Sequence, residues 1–270
     1  MTGWAGFNVA AAIALSVVLV PSAALAARCG NDAGGFERWK QEFREEARQR
    51  GVGRRGLSAL DQTVYATKTI NADRNQRSFR LSLSQFMAKR GANSIISRGR
   101  SLKQQNARLF ASIESRYGVP AGPLLAIWGM ETGFGSYLGG SNIVSAVATL
   151  AYDCRRSAFF TEQLYGALQL VDRGSLSANS IGAMHGEIGQ TQFLPANVVK
   201  YGVDMDGGGV DLIRSRADAL ASTANFLRAH GWRAGGGYQR GQSNYRAIQG
   251  WNAAGVYQQA IAIIGAEIDK

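Results

Sequence analysis

Residues 120–140 read P-A-G-P-L-L-A-I-W-G-M-E-T-G-F-G-S-Y-L-G-G, an apolar run that ends on one carboxylate and passes directly into glycine-rich chain. A run of this kind is an apolar helix that other elements must pack around. Pro120 stands where a helix can begin, because a first-turn residue needs no backbone donor. Leu124, Trp128 and Glu131 then fall at i, i+4 and i+7, on one face. A carboxylate continuing an apolar stripe is partly desolvated, which raises its pKa and fits it to general-acid work near neutral pH. Gly133 and Gly135 end the helix and bare the backbone, so that a ligand can approach. The alternative is a solvated Glu at a helix C-terminus, and composition alone leaves it open.

Residues 1–26 carry no charged side chain, and an apolar run over 10–20 leads to Pro21 and the A-x-A pattern Ala24-Leu25-Ala26. That pattern predicts a cleavable signal peptide over 1–26 and a mature chain over 27–270, exported to the periplasm with no stable membrane insertion after cleavage. The run is too short for an ordinary membrane-spanning helix. Two cysteines, Cys29 and Cys154, follow. In an oxidising compartment an even pair usually forms a disulfide, here a tether of the N-terminus to the core; two unrelated thiols are the alternative.

Charge is uneven. Residues 28–116 hold 19 Lys and Arg against 8 Asp and Glu, whereas 117–270 hold 11 of each. A basic N-terminal portion suits an anionic partner, and export makes nucleic acid the least suitable one. Arginines on solvated helix faces would look the same.

Helical spacing recurs along the chain. Phe36, Trp39, Phe43 and Ala47 mark an amphipathic helix stopping near Gly51, and residues 57–84 suggest a short helix and an extended connector. Residues 101–117 read as one helix with Gly118 as its stop, followed by helices over 143–152, 159–170, 218–230 and 257–268. No alternating strand runs occur. The fold class expected is mainly α, in one compact domain, with loops around Gly139, Gly207 and Gly235.

Two His and two Cys make no zinc set, and no G-x-S-x-G elbow is present. The stretch D-M-D-G-G-G-V-D resembles the start of a calcium loop, with Asp204, Asp206 and the Val210 carbonyl at positions 1, 3 and 7 and Gly209 at the turn. Gly208 replaces an acid at position 5 and Ser215 replaces the bidentate Glu at position 12, so a metal-free acidic turn is an equal reading. In G-E-I-G-Q-T-Q-F-L-P, Gln190 and Gln192 beside Phe193 suit sugar hydroxyls and N-acetyl groups. Glu187 is a second carboxylate candidate, or a loop-holding hydrogen-bond acceptor.

W-G-M-E-T-G-F-G, S-A-V-A-T-L-A-Y-D, G-Q-T-Q-F-L-P, D-M-D-G-G-G-V-D and A-N-F-L-R-A-H-G-W occur in this order. Together they closely resemble the lytic murein transglycosylases of the membrane-bound B type, from about Phe36 to the C-terminus. The resemblance implies a lysozyme-like helical catalytic domain acting on peptidoglycan glycan strands, without a required cofactor, as a monomer, and with no separate wall-binding module after it. It implies Glu131 as the single catalytic acid, Gln192 as the cleft glutamine, and Asn252 and Tyr257 lining the sugar subsites. A structural calcium would take Asp204, Asp206, Val210 and Asp218. The chain departs from the family pattern at Glu187 and Ile188, where G-A-M-G is usual, at Ala183 in place of a serine, and at Gly208. A hydrolytic muramidase recruiting Glu187, or a non-catalytic wall-binding protein, are the competing readings.

Overall fold

The computed structural model describes Met1 and residues 27–75 and 81–270; the signal-peptide expectation falls on residues outside these. After a short 3-10 turn at Ala33–Gly35, the helices are α1 (Phe36–Gln49), α2 (Arg54–Asp61), α3 (Thr67–Arg74), α4 (Leu83–Arg90), α5 (Ala92–Gln105), α6 (Ala107–Tyr117) and α7 (Ala121–Thr132). Then come β1 (Ser141–Asn142), α8 (Ile143–Tyr152), α9 (Ser157–Arg173), β2 (Ile181–Gly182), α10 (Pro195–Tyr201), α11 (Arg216–Ala229), α12 (Tyr245–Trp251) and α13 (Gly255–Asp269). The class is mainly α, as the periodicity predicts.

Two helix pairs organise the core. In the first, α8 and α9 pack along each other with α1, α2, α3 and α10 around them. In the second, α7 and α13 are paired, flanked by α4, α5 and α12. Between them, α11 touches α6, α7, α10 and α12. One continuous apolar cluster runs through both halves.

The helix over 121–132 is buried on every side, with Glu131 its one residue in partial contact with solvent. A face argument over Leu124, Trp128 and Glu131 therefore discriminates less than the spacing suggests. The helix can sit this deep because α13 comes unusually close. A Cβ on Gly122 would lie 2.2 Å from the Gly265 carbonyl oxygen, so both helices present glycine at the crossing. Pro120 is the N-cap itself, in extended conformation, and supplies no side-chain cap. The Asp269 carboxylate, at the end of α13, accepts from the Gly122 N–H at 2.8 Å instead. A carboxylate there also complements the positive end of the helix dipole.

Three expectations need correction. Residues 57–84 hold parts of three helices rather than one helix and a connector. Residues 101–117 are split at Asn106, whose side-chain Nδ2 donates to the Leu102 carbonyl and competes with the helix ladder. A two-residue antiparallel pairing, Ser141 opposite Gly182 and Asn142 opposite Ile181, was invisible to period counting at that length. The stop at Gly118 is as expected, with φ 72°.

The Cys29–Cys154 disulfide closes a loop with a sequence separation of 125, and backbone hydrogen bonds from Gly30 to Tyr152 and from Cys154 to Gly30 flank it. A crosslink over so long a loop contributes about 4–5 kcal/mol on the chain-entropy estimate.

Candidate active site

Glu131 ends the buried helix α7, and Gly133 turns the chain away at φ 58°, with its N–H on the Gly129 carbonyl. Phe134 follows at φ 62°, and Gln192 stands at φ 56° across the cleft. These are the non-glycine residues with positive φ among the described residues. Each costs about 1–2 kcal/mol relative to right-handed backbone, and such strain gathers where function requires a fixed geometry.

A cavity of about 240 Å³ brings Glu131 together with Glu187, Gln192, Phe193 and Asn252, and with Trp251 and Phe226. So Glu131, Gln192, Phe193 and Asn252, expected from separate stretches of sequence, line one pocket. Tyr257 is fully enclosed and does not line it, but its hydroxyl acts on the Glu131 carboxyl from behind. That hydroxyl forms no hydrogen bond of regular geometry, so we regard it as a donor close to, but not seated on, the carboxyl. Gln190 is elsewhere. It is buried, its amide donates weakly to the Ile213 carbonyl at 3.4 Å, and its backbone carbonyl accepts from Thr132 at 2.6 Å. The pairing of two glutamines in one sugar site thus separates: their side chains serve different cavities.

Four elements converge on the Glu131 carboxyl. Burial pushes its pKa up to about 7, against the lowering effect of Tyr257 on α13, Trp251 on α12 and Arg90 on α4; the charge of Glu187 adds to the rise. The carboxyl keeps partial solvent contact through the cleft mouth, yet protein atoms crowd it densely enough for desolvation to dominate. Trp251 Nε1 donates to Glu131 Oε1 at 3.3 Å. Its ring is held edge-on by Phe193 and Phe226, each with its centroid 5.2 Å away. Sequence reasoning passed over Trp251, although it directly precedes Asn252.

Glu187 behaves in the opposite way. Burial works against its charge, but hydrogen bonds and the charge of His185 outweigh burial and hold it below the ordinary carboxylate range. The His185 backbone N–H donates to Oε2 at 2.9 Å, and Nδ1 lies 3.2 Å from Oε1. His185 Nε2 is 3.8 Å from Asp73, a buried carboxylate also paired with Arg155 and Arg156. One pocket therefore holds two carboxyls in different states at neutral pH. One is poised to give a proton; the other is ionised and already engaged.

The acidic turn lies beyond Gln190. Carboxylate oxygens of Asp204, Asp206 and Asp218 lie within 4.8 Å of one another. Asp218 is fully buried and accepts from the Met205 and Asp211 N–H groups, while Asp204 accepts from Gly207 and Gly209. Ser215 donates to Asp206. Val210 is partly buried against the core.

A profile of the transglycosylase SLT domain matches residues 35–242. The chain belongs to that family. Among SLT relatives, the membrane-bound lytic murein transglycosylase B of Escherichia coli strain K12 is 36% identical over 118 residues, 43% of this chain. The match spans only 33% of that relative's length. SltB3 from Pseudomonas aeruginosa, solved in complex with NAG-NAM-pentapeptide, is 30% identical, with a TM-score of 0.79 over 87% of this chain and 79% of that one. Escherichia coli Slt35, solved in complex with calcium, is 20% identical with a TM-score of 0.76, covering 90% of this chain and 96% of that one; this match shows the fold. The SLT domain here thus has the mainly helical, lysozyme-like architecture of lytic transglycosylases. No helix among the described residues is long and apolar enough to cross a membrane.

Proposed function

We propose that this chain is an exported lytic transglycosylase that cuts the bond between N-acetylmuramic acid and N-acetylglucosamine in peptidoglycan strands. The observation that carries the reading is the elevated pKa of Glu131 in a pocket whose second carboxylate is ionised and tied to His185. Glu131 gives its proton to the glycosidic oxygen as that bond breaks. As a carboxylate it then takes the proton of the muramic C6 hydroxyl while that oxygen bonds to C1, closing a 1,6-anhydro ring. One carboxyl serves both steps because the nucleophile belongs to the substrate, and its proximity supplies much of the rate. Trp251 and Tyr257 steady the carboxylate between the two steps as donors, while Gln192, Phe193 and Asn252 line the space for the sugars.

A hydrolytic muramidase is the second reading, because Glu187 lines the same pocket and is ionised, as a base for water would be. Its hydrogen bonds to His185 and its low pKa weaken it in that role. Mass spectrometry of muropeptides released from purified sacculi separates the readings. Anhydromuramic ends are expected; reducing ends would replace the transglycosylase with a hydrolase, and absence of any release with a binding protein.

Calcium enters as a structural ion. The three convergent carboxylates of Asp204, Asp206 and Asp218 suit a hard cation, which would offset their mutual repulsion. Gly208 removes one ligand, and the backbone N–H groups already satisfy the loop, so we propose weak occupancy with no part in the reaction.

A further inference from the structure

Glu187 lines the Glu131 pocket as a carboxylate that is held in place. Residues 183–187 form a tight turn, with the Gly186 N–H on the Ala183 carbonyl at 3.1 Å and the Ala183 N–H on the Glu187 carbonyl at 3.0 Å. Gly186 stands at φ 84°, and a Cβ there would meet Val147 of α8 at 2.1 Å, so the turn is pressed onto the core. The turn brings the carboxylate back onto His185, whose backbone N–H donates to Oε2 at 2.9 Å and whose ring Nδ1 lies 3.2 Å from Oε1. The other ring nitrogen faces Asp73 of α3 at 3.8 Å. Asp73 is anchored in turn. Its side chain is 2% exposed and paired with Arg155 and Arg156, which directly follow the disulfide residue Cys154. Of this network only Glu187 lines the pocket, with 24% of its side chain exposed.

We propose that Glu187 is a second catalytic residue of this site, a fixed anion facing the positive charge that gathers on the sugar ring as the glycosidic bond breaks, and that His185 is the residue that positions it. The inference rests on the transglycosylase reading for the bond that is cut. As that bond breaks, its electron pair leaves with the glycosidic oxygen, which takes the Glu131 proton. The positive charge is shared between C1 and the ring oxygen until the C6 oxygen bonds to C1. Glu187 forms no bond and moves no proton. The features that weaken it as a base for water suit this task. Both of its oxygens are engaged by His185, so a full negative charge stays in one place and needs no reorganisation during the reaction. A pocket of about 240 Å³ keeps a sugar ring close to both carboxyls, and Phe193, Phe226 and Trp251 in its walls limit screening by water. The charges that face Glu187 are Glu131 from α7, His185 from its own turn and Arg156 from the segment between α8 and α9. Asp73 and Arg155 stand beyond His185, and Arg90 of α4 acts on Glu131.

One test uses binding, so that it does not depend on turnover. In the full chain carrying Glu131→Gln, isothermal titration compares an iminosugar of N-acetylglucosamine shape, protonated at its ring nitrogen, with the uncharged lactam of the same ring. The cation should bind roughly tenfold more tightly or better, and adding Glu187→Gln should erase that difference while leaving affinity for the lactam unchanged. If Glu187→Gln folds poorly, Glu187→Asp keeps the charge on a shorter arm and should keep part of the preference. Equal affinity for the two rings, or a preference that survives Glu187→Gln, would overturn the proposal. A companion test reads turnover on purified sacculi. Glu187→Gln should lower kcat roughly tenfold or more, with KM little changed, anhydromuramic ends still the product, and the alkaline limb of kcat/KM moved to lower pH. His185→Ala lets Glu187 take a proton more readily, so the acidic limb of kcat should move toward neutral. His185→Asn keeps a donor near the place of Nδ1 and should restore much of the wild-type profile. A kcat lowered equally at every pH by His185→Ala would mark a merely structural histidine and overturn its positioning role. Reducing ends in the wild type that vanish with Glu187→Gln would make Glu187 a base and sink the proposal. A cation preference erased by Glu187→Gln in a protein that releases no anhydro product would keep the fixed anion and overturn the reaction on which its catalytic role rests.

Discussion

Replacing Glu131 with Gln should slow glycan cleavage by roughly two orders of magnitude or more, and it should also stabilise the protein in a pH-dependent way. The Glu131 carboxyl titrates at about 7 in the folded chain against an ordinary 4.5. Below the lower value it is protonated folded and unfolded alike and contributes nothing. Between the two, the folded state keeps a proton that the unfolded state releases, so stability falls as pH rises, levelling off above the folded value. At about 1.36 kcal/mol per pH unit over about 2.5 units, the ceiling is about 3.4 kcal/mol. Partial solvent contact lowers the expectation to about 1–3 kcal/mol. Gln has nearly the same shape and no charge to desolvate. At about 2–4 °C per kcal/mol for a chain of this size, Glu131→Gln should melt roughly 2–12 °C above wild type at pH 8.5. At pH 4 the difference should nearly vanish. Scanning calorimetry at pH 4, 6 and 8.5 reads this directly. A difference in Tm that stays constant with pH would refute the claim that the Glu131 carboxylate is destabilised by burial.

Trp251→Phe removes a donor that favours the ionised Glu131, so the pH profile of kcat/KM should move its alkaline limb upward; an unmoved limb would deny that contact a role. Gln192→Gly relieves positive-φ backbone while deleting the amide in the cleft. It should therefore raise Tm slightly, or leave it unchanged, while cutting turnover at least tenfold; a folded variant with full activity would remove Gln192 from the site. Adding EDTA should shift Tm by no more than about 2 °C, since the acidic turn holds its shape through backbone donors; a large loss would mean that Asp204, Asp206 and Asp218 hold calcium tightly without an acid at Gly208.

The residues around the acid were legible to different degrees. The helix over 121–132 follows from composition and from the glycines after it, because a run without polar residues has few other ways to satisfy its backbone. Gln192 and Phe193 came from the pairing of amides with an aromatic, Gln192 again and Asn252 from motif resemblance, and all three fall in one pocket with Glu131. Gln190 shows why adjacency in sequence misleads. Residues two apart on an irregular loop, one of them at φ 56°, can face different cavities, and no periodicity governs such a loop. Glu187 was ambiguous for a related reason: its charge state depends on the hydrogen bonds and charge it meets at His185, which set it below the ordinary carboxylate range against the effect of burial.

The sequence by itself determined the helical class, the place and ending of α7, the identity of its one carboxylate and the two cysteines available for pairing, since each rests on local stereochemistry or on residue type. What Glu131 does was decided only in three dimensions. Its pKa comes from α4, α12, α13 and the loop bearing Glu187 closing round one side chain, and desolvation is a property of neighbours that a linear pattern cannot count. The same holds for the close crossing of Gly122 with Gly265, which brings together segments more than a hundred residues apart.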